Sequence, residues 1–377
     1  MKLSINREVL VKGVQNVLKA ISNKTSIPVL SGIKIEATLE GLILQGSDAD
    51  ISIETFIPLQ EDDKDNVNVE RPGSIVLNAK FFSEIVRKLP MDEVELEVNG
   101  LLAAIRSGSA EFNLNGMDPK DYPKFPKVKD DNPIQISQKH LKNLIQQTAF
   151  AVSTSEARPV LTGVNWKLTE QQLVCTATDS HRLSLKTVAI TSADAAEGDI
   201  VIPGRSLNEL NKLIDDSEEM AEVVFTGNQV LFKVKNLAFY SRLLEGKFPD
   251  TSKLIPVDSK TDVTLKTREL LKAIERASVL AREGRNNVVK LVTLKDGQVE
   301  ISSNSPEVGK VVEEVTCVSL EGEDLSIAFS ANFMMDALKT LDSEDVVIRF
   351  TGAMRPFVLK PKENNSILQL VLPVRTY

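Results

Sequence analysis

Two cysteines and two histidines among 377 residues leave little material for metal or redox chemistry. Cys175 and Cys317 fall in strand patterns of different segments, so buried, reduced thiols are expected rather than a disulfide framework. His140 stands at a predicted helix start, His181 at a predicted hairpin, and no Cys/His cluster has ligand spacing. No G-x-G-x-x-G follows a strand and no G-K-S/T loop is present, which disfavours mononucleotide binding. Asp179, Ser180 and His181 are triad residue types, but sequence neighbours on a strand or turn point in different directions. The acidic pairs Asp48/Asp50 and Asp215/Asp216 read as turn or helix-end residues rather than as a metal site. No catalytic group, metal or cofactor is therefore expected. The longest apolar runs are strand-sized, which excludes a helical membrane span, and Met1 to Asn6 reads as a strand rather than a signal-peptide core. A cytoplasmic protein follows.

What the chain does contain is repetition. Residues 134–183 hold a strand pattern, Ile134 to Ser137, then a helix pattern with Leu141, Leu144, Ile145, Thr148 and Val152 at helical spacing, then "RPVLTGVNWKL" and "QLVCTATDSHRL" as extended segments. The same order occurs at 9–54, where Leu10, Val14, Val17 and Ile21 make the stripe, and at 269–307. Asp48 and Asp179 lie about 130 residues apart, and a turn is expected near Asn304 in the third copy. A second helix-then-strands pattern recurs at 79–98, 203–225 and 330–350. One domain is thus written three times, and each copy is a half-unit written twice. A repeat of about 125 residues can bury its own core, unlike a solenoid unit. The expected domains are 1–127, 128–253 and 254–377, with the Pro-, Asp- and Lys-rich stretch 117–133 as the first connection. The acidic stretch 59–73 is expected to be a loop. Antiparallel strands with one apolar face, and helices with one apolar face, give an α+β class of two-layer domains.

The formal net charge of -8 argues against nucleic acid, but its distribution argues for it. The predicted helical stretches, taken together, carry more Lys and Arg than Asp and Glu, so the strands and loops carry the acidic excess. That segregation implies one basic surface made of helices. Such a surface contacts phosphates, reads no bases and is screened by salt. Arg268, Lys272 and Arg276 form a stripe at i, i+4, i+8; Lys12, Lys24, Lys80, Lys139, Lys142 and Arg205 are further candidates. An arc of such domains has open sheet edges at its ends, and closed symmetry with a second copy removes them.

The whole chain resembles the bacterial DNA polymerase III beta subunit, the replication sliding clamp family. The resemblance rests on "RPGSIVLNAKFF" with "IVRKLP", "RSGSAEFNLNGM" with "DYPKF", "VLTG", "ATDSHRL", "EGKFPD" and the terminal "LPVR", in that order. It implies the DNA clamp fold: a head-to-tail homodimer forming a six-domain ring, helices inside, around double-stranded DNA without sequence preference. It also implies a clamp loader, the replicative polymerase and other motif-bearing proteins as partners, a replisome- and nucleoid-associated location, and no enzymatic activity. The family's peptide groove maps here onto Leu161, Thr178, Ser180, His181, Arg182, Leu183, Pro249, Lys253, Leu254, Ser330, Phe333, Met354, Leu370, Leu372, Pro373, Val374 and Arg375. Leu, Phe and Met would seat apolar anchors, with His181, Arg182 and Arg375 holding polar atoms. Ser180 departs from a family Gly, Lys253 from an Arg, Leu254 from a Val, Ser330 from an Asn and Phe333 from a Tyr. For DNA, Lys24, Ser155 and Arg205 match family contact positions and Arg158 lies beside them, while Pro159 and Val160 replace a tyrosine pair. For the dimer seam, Phe112 of one chain is expected to meet Val279 and Leu280 of the other. A peptide-binding scaffold that never encircles DNA is the alternative; an enzyme using Asp179 and His181 is a more distant one.

Overall fold

A strand, a helix, then three strands: among the described residues this order occurs six times. The computed structural model describes all residues except 23–24, 62, 126–132, 170, 191–197, 283–286 and 376–377. The helices are α1 (Arg7–Leu18), α2 (Ala79–Lys88), α3 (Gln138–Thr148), α4 (Gly204–Asn211), α5 (Thr267–Ala281) and α6 (Ala331–Lys339). Asn6 caps α1, its side chain accepting from the N–H groups of Glu8 and Val9 at 2.9 and 3.3 Å, and Asn78 caps α2 in the same way from Phe81. Each helix buries one stripe: Leu10, Gly13, Val14 and Val17 on α1, and Leu270, Ala273, Ile274 and Ala277 on α5. Gly13 permits a close approach to the sheet, because a Cβ there would lie 2.9 Å from Leu44 Cδ1.

Packing divides the chain into two units, Met1–Lys139 with Glu209–Leu243, and His140–Asn208 with Leu244–Tyr377. In the first, α1 packs against α2; in the second, α5 packs against α6. All strand pairs joining these half-units are antiparallel. The first unit holds a five-stranded and an eight-stranded sheet, the second a nine-stranded and a four-stranded one. The opening strand of each half-unit pairs with the sheet of its partner half, as Lys2–Asn6 does with Glu93–Asn99 and Gly73–Asn78 with Gly32–Ala37.

The large sheets do not stop where one copy ends. Leu237–Arg242 pairs with Ile51–Pro58 in the first unit, and Ile367–Val371 pairs with Arg182–Ala189 in the second. Two strand edges that would otherwise be exposed at each copy boundary are thereby covered.

Several details depart from the sequence reading. Helix α1 ends at Leu18 and α3 at Thr148, so Ile21 and Val152 lie beyond their helices. Asn304 is inside the strand Gln298–Ser305, opposite Lys310, and not in a turn, because the hairpin closes one step later at Ser305 and Gly309. The acidic stretch 59–73 is not only loop: Val67–Arg71 adds to Lys2–Asn6 as an edge strand. In the first connection, Tyr122 is buried with Val29, Leu30 and Val76, and Phe125 meets Tyr240 edge-on at 5.7 Å.

The third copy's core stacks Phe329, Phe357 and Phe350, with ring centroids 5.7 and 5.1 Å apart and all three fully buried. Phe357→Ala should cost about 3–5 kcal/mol, read as a lower denaturation midpoint; an unchanged midpoint would place the load of this core elsewhere.

Candidate functional site

The second unit contains the residues that the family pattern assigns to the groove. Their frame is the loop between the strands Gln172–Thr178 and Arg182–Ala189. Asp179 Oδ1 accepts from the N–H groups of His181 and Arg182 at 2.9 and 3.0 Å, an Asx turn that fixes the loop. Thr178 closes it from the other side, its hydroxyl donating to the Arg182 carbonyl at 2.6 Å. Ser180 sits at the tip with φ +78°, a left-handed conformation that suits the glycine of the family pattern better than serine. Its hydroxyl accepts from Arg158 Nη2 at 3.0 Å, which ties the tip to the turn at 153–158.

The terminal segment lies along this loop. Leu372 N–H donates to the His181 carbonyl at 2.9 Å, Pro373 bridges to Phe329, and Val374 N–H donates to the Ala328 carbonyl at 2.8 Å. Ile367–Val371 is wholly buried, whereas Leu372, Pro373 and Val374 are half-buried. The segment therefore passes from wholly buried strand to half-buried chain at Leu372. Leu183 faces Leu370 across the ladder, and these two join Val358 and Leu368 in an apolar cluster that Leu185, Ile255 and Leu372 extend.

Two openings lie along the terminal segment and share Val374 in their linings. One of about 640 Å³ is lined by His181, Arg282, Asn287, Ser330, Asn332, Phe333 and Val374. A smaller one of about 230 Å³ lies beside Met354, Val374 and Arg375. The His181 and Phe333 rings are 6.3 Å apart and tilted. Not every assigned residue joins this group. Leu161 packs with Val201 and Phe248 in a separate cluster. Pro249, Lys253 and Leu254 are exposed, the last two in a short 3-10 turn, Ser252–Leu254. The sequence reading missed Arg282, Asn287 and Asn332, since nothing in their local pattern sets them apart.

The proposed DNA-facing residues divide by their partners. Lys12, Lys80, Arg268 and Lys272 are exposed on the solvent side of α1, α2 and α5, and among the described residues none is in an ion pair. Arg205 is exposed on α4, and Lys142 is half-buried on α3. Lys139 pairs with Glu218 at 3.0 Å. Arg276 is bound through two nitrogens to Glu313, whose carboxyl is held below its ordinary range by that hydrogen bonding. Arg276 is thus the weak member of the expected stripe. Ser155 and Arg158 are exposed, and Lys24 lies outside the described residues.

At the expected seam, Phe112 is 39% exposed on Ala110–Asn115, the terminal strand of the five-stranded sheet. Val279 is 63% exposed and Leu280 half-buried near the end of α5. The four-stranded sheet of that unit ends on Gly309–Thr316, another open edge, with Val312 exposed on it.

Comparison with known proteins agrees along the whole chain. Family models for the DNA polymerase III beta subunit match its N-terminal domain at residues 1–126, its central domain at 135–250 and its C-terminal domain at 252–375. The chain is 56% identical to the beta sliding clamp of Bacillus subtilis and 50% identical to that of Staphylococcus aureus, with all of each chain covered. The solved sliding clamp of Bacillus subtilis superimposes with a TM-score of 0.98, and the beta chain of Streptococcus pneumoniae, 41% identical, with 0.95, again over all of each chain. The residues, their geometry and these likenesses converge: the chain belongs to the DNA polymerase III beta subunit family, the bacterial sliding clamps.

Proposed function

We propose that two copies of this chain close head to tail into a ring of six domains, with limits near 1–127, 128–253 and 254–377, that encircles duplex DNA. Family models ending and restarting at 126/135 and 250/252 support those limits. The ring holds the replicative polymerase, and other proteins bearing a short binding motif, through the groove around Leu183, Phe333 and Leu372. A clamp loader places it on DNA. Its work is tethering, and no bond is made or broken by the protein. No helix of the described residues is long and apolar enough to cross a membrane; a cytoplasmic place at the replisome and nucleoid follows from the work proposed.

The observation that carries this reading is the set of cations on outward helix faces, Lys12, Lys80, Arg268 and Lys272, that have no ion-pair partner among the described residues. In a chain of net charge -8 these are groups able to meet phosphate. They read no bases, so contacts are weak, repeated and compatible with sliding, while topology supplies retention.

Ring retention has a decisive test. The assembled protein should stay on nicked circular DNA in high salt and leave the same DNA once it is linearised. Equal loss from both would favour a peptide-binding scaffold instead. Replacing Arg268 and Lys272 by Ala should lower the salt slope of residual DNA binding by roughly 0.9 for each phosphate no longer neutralised, and Arg276→Ala, already held by Glu313, should change it less.

For the seam, Leu280→Asp should give monomers at low micromolar concentration by light scattering, because it places a charge in an apolar contact. A persistent dimer would move the seam away from Val279 and Leu280.

A further inference from the structure

Arg182 belongs to the groove by family pattern, yet each of its three nitrogens already donates to a protein acceptor. Nε donates to Asp179 Oδ2 at 2.9 Å, Nη1 to Asp336 Oδ2 at 2.6 Å and Nη2 to the Phe150 carbonyl at 2.7 Å. Arg182 Cζ also lies over the Phe333 ring, 4.7 Å from its centroid, and over the Phe150 ring, 5.3 Å from its centroid. Its side chain is only 13% exposed. A planar fork held at three acceptors and close to two aromatic rings is fixed in place, with two of its five N–H groups left uncommitted.

The acceptor on α6 is the informative one. Asp336 stands three residues after Phe333, so both project from one face of α6. Arg182 grips that helix through Asp336 and presses on the Phe333 ring. Phe333 in turn lines the larger opening with His181. Asp336 lines neither opening. The bond between Arg182 and Asp336 therefore links the loop at 179–182 to α6, and the opening is lined from both segments.

We propose that Asp336 is a positioning residue for peptide binding, acting with Arg182 as a strut that holds Phe333 in the competent arrangement of the groove. This rests on the groove reading above. It differs from a direct role for Arg182 in a measurable way. Loss of a contacting side chain acts mainly on koff. Loss of a strut lowers the fraction of protein in the competent state, and the apparent affinity falls by that fraction. The deficit then appears in kon, while peptide bound to the competent state leaves at its usual rate.

The full-length dimer is mixed in stopped flow with a dye-labelled synthetic peptide copying the C-terminal tail of the replicative polymerase. Asp336→Asn should weaken binding by about tenfold, with the loss in kon and koff changed by less than about twofold. Arg182→Lys keeps the charge but cannot span three acceptors, and it should show the same pattern should Asp336→Asn fold poorly. The double variant Arg182→Ala/Asp336→Asn should be no weaker than Arg182→Ala alone, since the two act as one unit. A 4-fluorophenylalanine placed at Phe333 should give one sharp fluorine line in the parent and a broadened or doubled line in Asp336→Asn. Parent-like affinity of Asp336→Asn, a loss carried by koff, or additive effects in the double variant would overturn the inference alone. A parent protein that does not bind the peptide would overturn the groove reading itself, and this inference with it.

Discussion

Unpaired strand edges are the constraint on which this architecture turns. A chain built from repeated sheets meets an open edge at every copy boundary, and an open edge is a row of unsatisfied N–H and C=O groups. Within each unit the boundary is closed by the same device. In the first, Arg242 N–H donates to the Asp50 carbonyl at 2.9 Å where Leu237–Arg242 meets Ile51–Pro58. In the second, Leu372 N–H donates to the His181 carbonyl, also at 2.9 Å, where Ile367–Val371 meets Arg182–Ala189. The preceding turns match as well. Asp48 accepts from the N–H groups of Asp50 and Ile51 as Asp179 does from those of His181 and Arg182. Ala49 has φ +79° and Ser180 +78°. Two non-glycine residues holding a left-handed conformation at equivalent positions show that the turn geometry outweighs a backbone cost of about 1–3 kcal/mol.

Equivalent backbones carry opposite side-chain patterns. At the first boundary the positions after the turn run Ile51, Ser52, Ile53, Glu54, with Ile51, Ile53 and the facing Phe239 buried. At the second they run Arg182, Leu183, Ser184, Leu185, and Gln369 takes the place facing Ser184. A strand's side chains alternate between faces, so the apolar residues have moved from one face to the other. Ser184 donates to the Gln147 carbonyl, and Gln147 and Gln369 bond onward to Thr340, so the face turned to the helices is a connected polar network. The opposite face carries Leu183, Leu185, Leu368 and Leu370. A buried apolar cluster on the outer face of the second boundary is the consequence, and the inner face is held largely by hydrogen bonds instead of packing. The first boundary has Ser52, Glu54 and Tyr240 at the corresponding places, which are not the residues of an apolar socket.

Much of this was legible in sequence. Helical and alternating periodicities located the half-units, because period 3.6 and period 2 survive in any copy that keeps a buried face. The cap residues Asn6 and Asn78 sit where those periods begin. Element ends were less legible: Ile21 and Val152 continue the helical spacing although their helices have ended, since an apolar residue just past a helix can still turn inward. Val67–Arg71 was hidden because its edge position leaves charged residues exposed, and such a strand has the composition of a loop. The groove was legible only through family pattern. Arg182 and Asp336 are 154 positions apart, and no local signal marks them as partners.

The same separation explains why the cations could be nominated but not ranked. A stripe at i, i+4, i+8 predicts a shared helix face, and Arg268, Lys272 and Arg276 are all exposed on α5. It does not predict what the neighbouring hairpin brings to that face. Glu313, on Gly309–Thr316, takes Arg276 out of the set of available charges. A guanidinium bound through two nitrogens gives up that carboxylate only where a phosphate offers at least as good a geometry, whereas among the described residues Lys272 and Arg268 have no carboxylate partner to give up. The α5 stripe cations that no described carboxylate holds are therefore the two toward its N-terminal end, Arg268 and Lys272. A polyanion meeting that end is favoured by the helix dipole as well, because the N-terminal end of a helix carries its positive pole.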